Sequence, residues 1–307
     1  MTTVAECADP VALNLWHPMD AVVDLAPGAV YQTRLLEESV SYGVCTGGDV
    51  HAWRSVAALP AGSQFAPTDI GERLRVIEGL GYLWTSLGTP ESELFELAEF
   101  HEPDRHNVWS GGVGVHTSAP RAVENFLDMG HFPYVHSGYL GIEPLTEVKD
   151  YQVEVVDDGR EILATECEFF QPLGALNADG GMVMGYVYRV PHPYCAILYK
   201  SSPIDESRMD AITIFCQPID EETTRAHMLL SMLDDENDDR LLKRFQLLIF
   251  GQDKPILENQ RPRRLPLGSR IETPVRSDKT SITYRRWLSE MGLTYGVIPA
   301  AAQRPSG

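Results

Sequence analysis

Between Glu147 and Gln217 the chain runs through five segments in which apolar and polar residues alternate: YQVEVV, ILATECEFF, MVMGYVYRV, CAILYK and DAITIFCQ. Turn residues separate them at Asp158-Gly159, Asp179-Gly180 and Pro191 to Pro193. Period-two alternation puts every second side chain on a core-facing surface, and strands that follow one another over short turns pair antiparallel. Helical periodicity flanks this block. Arg121 to Met129 follows Pro120, holds no Gly or Pro, and spaces Val123, Phe126 and Leu127 as an amphipathic helix running into His131. A second helix starts after the acidic run DDENDD, which suits a positive helix N-terminus, and runs through LLKRFQLLIFGQDKPILENQ. Pro255 is expected to kink or break it just after Asp253. A third, SITYRRWLSEMG, is closed by Gly292, and the tail AAQRPSG is expected to be loose.

Ahead of this, from Trp16 to about Gly88, short apolar runs (AVVDL, AVYQTRLL, SVSYGVC, LRVIEG, YLWTSLG) lie between Gly, Pro, Asn and Asp turns, the pattern of a small antiparallel β unit. The acidic stretch from Pro90 to His106 reads as a connector. The expected organisation is α+β in two domains, residues 1–105 and 106–307. A formal charge of −19 disfavours binding to phosphate backbones, so nucleic acid is excluded as a partner. Five scattered cysteines with no CxxC pair argue for reduced, mostly buried thiols rather than a disulfide framework. No basic and apolar leader opens the sequence and no apolar run reaches bilayer length, so a soluble cytoplasmic protein is expected, without membrane contact.

One stretch concentrates chemistry. Asn125, Asp128, His131 and His136 fall within twelve residues. In one continuous helix residues five apart point about 140° away from each other, so His131 and His136 share an ion only across a break, for which Gly130 and Pro133 are present. Asp128, three before His131, is placed to bond the second imidazole nitrogen, as metal-ligating histidines usually require. Two histidines and a carboxylate on one face of an ion suit iron(II) and dioxygen, and with an open position they also fit catalytic zinc in a hydrolase. The remote carboxylate is assigned to Asp253, at the end of the apolar run FQLLIFGQD where a charge is costly unless compensated; Glu258 is the reserve.

The pattern NxxDxxHxxxxH from Asn125 to His136, followed far downstream by FGQDKPILENQRP, resembles the catalytic subunit of Rieske-type non-haem iron oxygenases. LNLWHP near residue 13, GYLWTSLG near 81 and SDKTSITYRRWL extend the likeness to the monooxygenase and demethylase branch. The resemblance implies a Rieske-like small β domain followed by a helix-grip catalytic domain, with mononuclear Fe(2+) held by His131, His136 and Asp253, Asn125 beside it, and Asp128 linking it to an incoming cluster. A Rieske centre takes two Cys and two His. Here the segment after GDVHAWRS has neither, and Cys45 and His51 are isolated, so no [2Fe-2S] cluster is expected in this chain and the small domain reads as degenerate. Electrons then have to come from a separate Rieske-bearing NAD(P)H reductase docking near Asp128.

Within the family this layout resembles bacterial methylxanthine N7-demethylase components, which implies that 7-methylxanthine is converted to xanthine and formaldehyde. The cavity is expected to use Phe169, Met184, Tyr188, Phe215, Leu248 and Gln252 against a flat heterocycle. O-demethylation or ring hydroxylation of another aromatic is the runner-up; a carboxylate substrate needs a cation, for which Arg189 and Lys200 are the strand candidates. A non-catalytic partner subunit is a further alternative, opposed by the retained triad. The family suggests a trimer, and loss of the cluster loops leaves a homo- or hetero-oligomer open. His101, His106 and His192 read as surface histidines, the acidic run before the second helix as a solvated helix start rather than a calcium loop, and Arg261, Arg263 and Arg264 as partners for acids in the same chain.

Overall fold

The alternating runs become the centre of the protein. The computed structural model describes residues 7–173, 180–202, 204–205, 207–234, 237–268 and 271–300; the Asp179-Gly180 turn falls partly, and the AAQRPSG tail wholly, outside them. The chain opens with the short helix α1 (Pro10–Leu13), capped by the Asp9 carboxylate, which accepts the Val11 and Ala12 N–H groups at 2.8 and 3.1 Å. Six short strands follow: β1 (His17–Ala21), β2 (Tyr31–Leu35), β3 (Glu38–Val44), β4 (Val50–Arg54), β5 (Arg75–Gly79) and β6 (Tyr82–Ser86). They form two three-stranded antiparallel sheets, β2-β3-β4 and β1-β6-β5.

After the connector come β7 (His106–Val115), α2 (Ala119–Leu127), α3 (Phe132–Val135), β8 (Gln152–Val156), β9 (Glu161–Gln171), β10 (Met182–His192), β11 (Cys195–Ser201), β12 (Met209–Asp220) and β13 (Thr223–Met232). Then follow α4 (Asp239–Asn259), β14 (Leu265–Pro266), α5 (Lys279–Met291) and β15 (Val297–Ile298). The five alternating runs are β8 to β12, joined in one antiparallel sheet of order β7-β13-β12-β11-β10-β9-β8. The sequence reading missed β7 and β13 for a physical reason. β7 carries WSGGVGV, rich in glycine, and β13 carries RAHMLLSM, whose Ala, Met and Leu favour helix; pairing of β13 with β12 and of β7 with β13 overrides both.

Both faces of this sheet are covered, which accounts for the nearly unbroken burial of β12. Cys195, Ile197, Ala211, Phe215 and Leu229 pack with Tyr82 and Trp84 of the N-terminal sheet. Residues one step out of phase, among them Ile214 and Met228, face the helices, with α2 lying on β11, β12 and β13. The helix α4 starts at Asp238, whose carboxylate accepts the Leu241 N–H at 2.8 Å, and it runs unbroken through Pro255, contrary to expectation. The hydrogen bond that Pro255 cannot make leaves the Gly251 carbonyl, and both residues are exposed, so water can serve it. Helix α5 ends as expected at Gly292, with φ 79°.

Among the described residues all five cysteines are free thiols, four of them buried. No helix among these residues is long and apolar enough to cross a membrane. Arg264 and Arg263 pair with Glu221 at 2.6 Å and Glu222 at 3.8 Å, as expected for acids of the same chain, while Arg261 donates to the Glu258 and Gln260 carbonyls. His101 is exposed and His106 bonds Asp239 at 2.6 Å. His192 is not a surface residue. The β10–β11 hairpin folds it beneath Phe95 and Tyr194, where its Nδ1 accepts the Tyr194 N–H at 3.1 Å.

Burial holds the pKa of His17 down at about 4 and those of His192 and His227 at about 3. Such a residue gains its proton on unfolding, so its contribution is full above the unfolded pKa of about 6.5 and is lost as pH falls toward the folded value. Replacing His192 by Asn is expected to remove about 1.4 kcal/mol per pH unit from the slope of unfolding free energy between about pH 6 and 4, measured by urea titration.

Candidate metal centre

Ser118 starts α2 by accepting the Arg121 N–H at 3.4 Å, and Pro120 stands in its first turn. The helix ends at Leu127, earlier than the periodicity suggests, because Asp128 turns to extended backbone at ψ 128°. Asp128 Oδ1 then accepts the Gly130 N–H at 2.7 Å and Oδ2 meets His131 Nδ1 at 3.1 Å. The expected contact is present, made by a local turn and not along a helix face. The break likewise falls before His131. Pro133 stands in the first turn of α3, and the two histidines flank that single turn, His131 at its N-cap and His136 at its C-cap with φ −108° and ψ 36°.

This geometry swings both Nε2 atoms to one point, where α4 delivers Asp253. His131 Nε2 lies 3.1 Å from His136 Nε2, and Asp253 Oδ1 lies 3.3 and 3.1 Å from them. Bonds of about 2.1 Å to one ion separate such atoms by about 3.0 Å at right angles and about 3.4 Å at tetrahedral angles. His136 Nδ1 is directed at Gln252 Oε1, 2.9 Å away, so both rings turn their Nδ1–H to an acceptor and their other nitrogen inward. Asp253 Oδ1 is buried with no hydrogen bond. Three electron-rich atoms facing one point demand a cation. Burial opposes the charge on His131, but Asp128 and Asp253 outweigh it and hold its pKa up at about 9; burial also opposes the Asp253 carboxylate, and the two imidazoles hold it down at about 2. A proton meets the demand in part, and a divalent metal meets it for all three atoms. His131, His136 and Asp253 form the one group of three such side chains so placed among the described residues. Glu258 is elsewhere, accepting the His116 N–H at 3.1 Å and pairing with Lys254 at 3.0 Å.

The triad opens into a cavity of about 90 Å³. Asn125, Phe126, Leu140 and Phe132 line one side and Phe245, Gln246, Ile249 and Phe250 of α4 another. The sheet supplies Gln171, Tyr186, Leu198, Lys200, Ile212, Ile214 and Met228. None of the six residues expected from sequence is in this wall. Phe215 has the wrong phase, pointing to Tyr82 and Trp84 on the opposite face. Leu248 is 42% exposed on the outside of α4. Phe169, Met184 and Tyr188 are on the right face but sealed in the core, Phe169 against Phe132 and Tyr188 against Phe126. Gln252 holds His136 instead. Of the two strand cations, Arg189 is tied to Glu161 at 2.6 Å, while Lys200 does line the cavity, opposite Asp210 in the sheet register.

A sequence model of the vanillate O-demethylase oxygenase C-terminal domain matches residues 115–294. The chain is 42% identical over 281 residues to the probable methylxanthine N7-demethylase NdmC of Pseudomonas sp. (strain TJI-51), covering 92% of this chain and 95% of that protein. It is 30% identical over 229 residues to the methylxanthine N1-demethylase NdmA of Pseudomonas putida, covering 72% and 61%. In fold it is similar to the solved structure of NdmA of Pseudomonas putida CBB5, with a TM-score of 0.71 at 20% identity over 91% of this chain and 90% of that one. Apo dicamba monooxygenase gives 0.64 at 14% identity, covering 91% and 97%.

The matched segment contains a charge network that no motif announces and that fixes α2. Arg121, whose side chain is fully buried, donates to Glu124 at 3.1 Å, to Glu272 and to the Pro262 carbonyl, and Arg285 of α5 closes the set on Glu124 and Glu272. Burial pushes the Glu124 carboxyl up, while the two arginines overcome burial at Glu272 and hold it down. Arg121→Met leaves two glutamates sharing one cation; a loss of about 3–5 kcal/mol in unfolding free energy is expected by urea titration.

Proposed function

Because the chain belongs to the Rieske-type non-haem iron oxygenases that share the vanillate O-demethylase oxygenase C-terminal domain, we propose that it is the oxygenase component of an N-demethylase, with mononuclear iron held by His131, His136 and Asp253. One observation carries the ligand assignment: three inward-facing donor atoms 3.1 to 3.3 Å apart, one of them a buried carboxylate oxygen without a hydrogen bond. Iron(II) bound there supplies dioxygen activation on the face left open to the cavity. Asp128 and Gln252 keep the two Nδ1 protons in place and so direct the other nitrogens inward. Asn125, on the cavity wall, is the side chain we assign to the reacting region.

The substrate we propose is 7-methylxanthine, as the name of the 42% identical relative suggests. The N–CH3 group, dioxygen, two electrons and two protons give N–CH2OH and water; the hemiaminal then breaks its C–N bond, returning a proton to nitrogen and releasing formaldehyde and xanthine. The two electrons require a donor. The segment between β4 and β5 has no Cys or His, and Trp53, Leu59 and Phe65 pack there with Cys45 and Val30. This packing supports a reading of residues 1–105 as a degenerate Rieske-like domain without a cluster, joined to a helix-grip catalytic domain, 106–307. A Rieske-bearing NAD(P)H reductase would dock by Asp128, whose side chain is 31% exposed beside His131.

An aromatic carboxylate, the substrate type for O-demethylation, would look to Lys200. That lysine faces the Asp210 carboxylate, which offsets its charge and favours a neutral ligand. The test is turnover. Protein loaded anaerobically with iron(II) is expected to bind about one iron per chain and, with a Rieske-bearing reductase and NADH, to convert 7-methylxanthine to equimolar xanthine and formaldehyde. Asp253→Ala should abolish both iron binding and product. Iron bound with no formaldehyde would contradict the substrate, and retention of iron by Asp253→Ala would contradict the ligand set.

A further inference from the structure

Two polar atoms in the sheet wall of the cavity are left without partners by the fold. Gln171 Oε1 on β9 and the Tyr186 hydroxyl on β10 are buried and make no hydrogen bond among the described residues. Both side chains line the cavity and both residues are 2% exposed. Leu and Phe would fill these positions without the cost of stripping a polar group of water and leaving it unpaired. Their neighbours on the same wall, Leu198, Ile212 and Ile214, are apolar. Polarity at these two points therefore answers to something that enters the cavity.

We infer that Gln171 and Tyr186 read the substrate, and that the substrate class is a heterocycle carrying both a ring N–H, for the Gln171 oxygen, and a ring carbonyl, for the Tyr186 hydroxyl. The inference rests on the reading of the cavity as the substrate site. The roles follow from the groups: an amide oxygen only accepts, and a phenol donates while it keeps its proton. Burial pushes the Tyr186 phenol well up, which keeps that proton in place. In the sheet register Gln171 stands opposite Met182, four residues from Tyr186, or about 14 Å along the strand. The two groups thus touch separate edges of one ligand. Lys200, directly across from Tyr186, lines the same wall.

7-Methylxanthine has ring N–H groups and carbonyls, whereas caffeine has the carbonyls and no N–H, so the pair separates the two contacts. Dissociation constants for both, measured by equilibrium dialysis on the iron-loaded protein without oxygen, test the assignment. The parent is expected to bind 7-methylxanthine at least about tenfold more tightly than caffeine. Gln171→Leu should weaken 7-methylxanthine about tenfold and leave caffeine unchanged, whereas Tyr186→Phe should weaken both about tenfold. Iron stoichiometry and circular dichroism matching the parent establish that the variants fold. Equal affinity of the parent for the two ligands, or variants that bind as the parent does, overturns the inference; formaldehyde release in the same preparations keeps the demethylase reading intact in that event. A parent that binds neither ligand overturns this inference and the methylxanthine substrate together.

Discussion

The Asp253 carboxylate is buried beside two imidazoles that turn electron-rich nitrogens toward it, and a low-dielectric interior tolerates such a cluster only around a cation. Much of the chain from β7 onward serves to impose that arrangement. α4 must bring Asp253 to the point at which α3, one turn long, presents its two flanking histidines. Gln252, next to Asp253 on α4, must hold His136, and Asp128, at the end of α2, must hold His131. The Arg121 and Arg285 network in turn locks α2 to α5 and to the segment at Glu272.

The large sheet provides the frame and divides its labour by residue phase. One face of β11, β12 and β13 packs on the N-terminal sheets through Phe215, Tyr82 and Trp84, and the other forms the apolar part of the cavity through Leu198, Ile212 and Ile214. A shift of one residue in any strand would exchange core for cavity. The N-terminal sheets therefore have a structural task in this chain: they cover a face that would otherwise be exposed. Asp9 extends the same tie, capping α1 and accepting the Thr294 and Tyr295 N–H groups at 2.6 and 2.7 Å, so that α1 is joined to the segment that follows α5.

The meeting of His131, His136 and Asp253 was legible in the sequence because the polar residues are concentrated: His131, His136 and Asp128 are close in the chain, and Asp253 is a charge at the end of an apolar run. The strands β8 to β12 were legible because alternation is local. What sequence could not supply was phase and long-range pairing. Phe215 and Ile214 look alike as strand residues, and only the sheet decides that Ile214 meets the cavity. Glycine in β7 and helix formers in β13 hid two strands that cross-strand pairing creates, β13 against β12 and β7 against β13. Pro255 misled because the carbonyl that it leaves unpaired lies on the solvent side of α4. The polarity of Gln171 and Tyr186 was readable in principle, as unpaired polar residues within runs that otherwise look apolar.

His131, His136 and Asp253 are proposed to hold one iron. Anomalous diffraction at the iron absorption edge, from crystals of protein reconstituted with iron(II) without oxygen, tests it directly. A single strong peak per chain, bounded by the two Nε2 atoms and the Asp253 carboxylate, is the expected result. An empty triad in iron-replete crystals, or a peak at Cys45 and His51 instead, would contradict it.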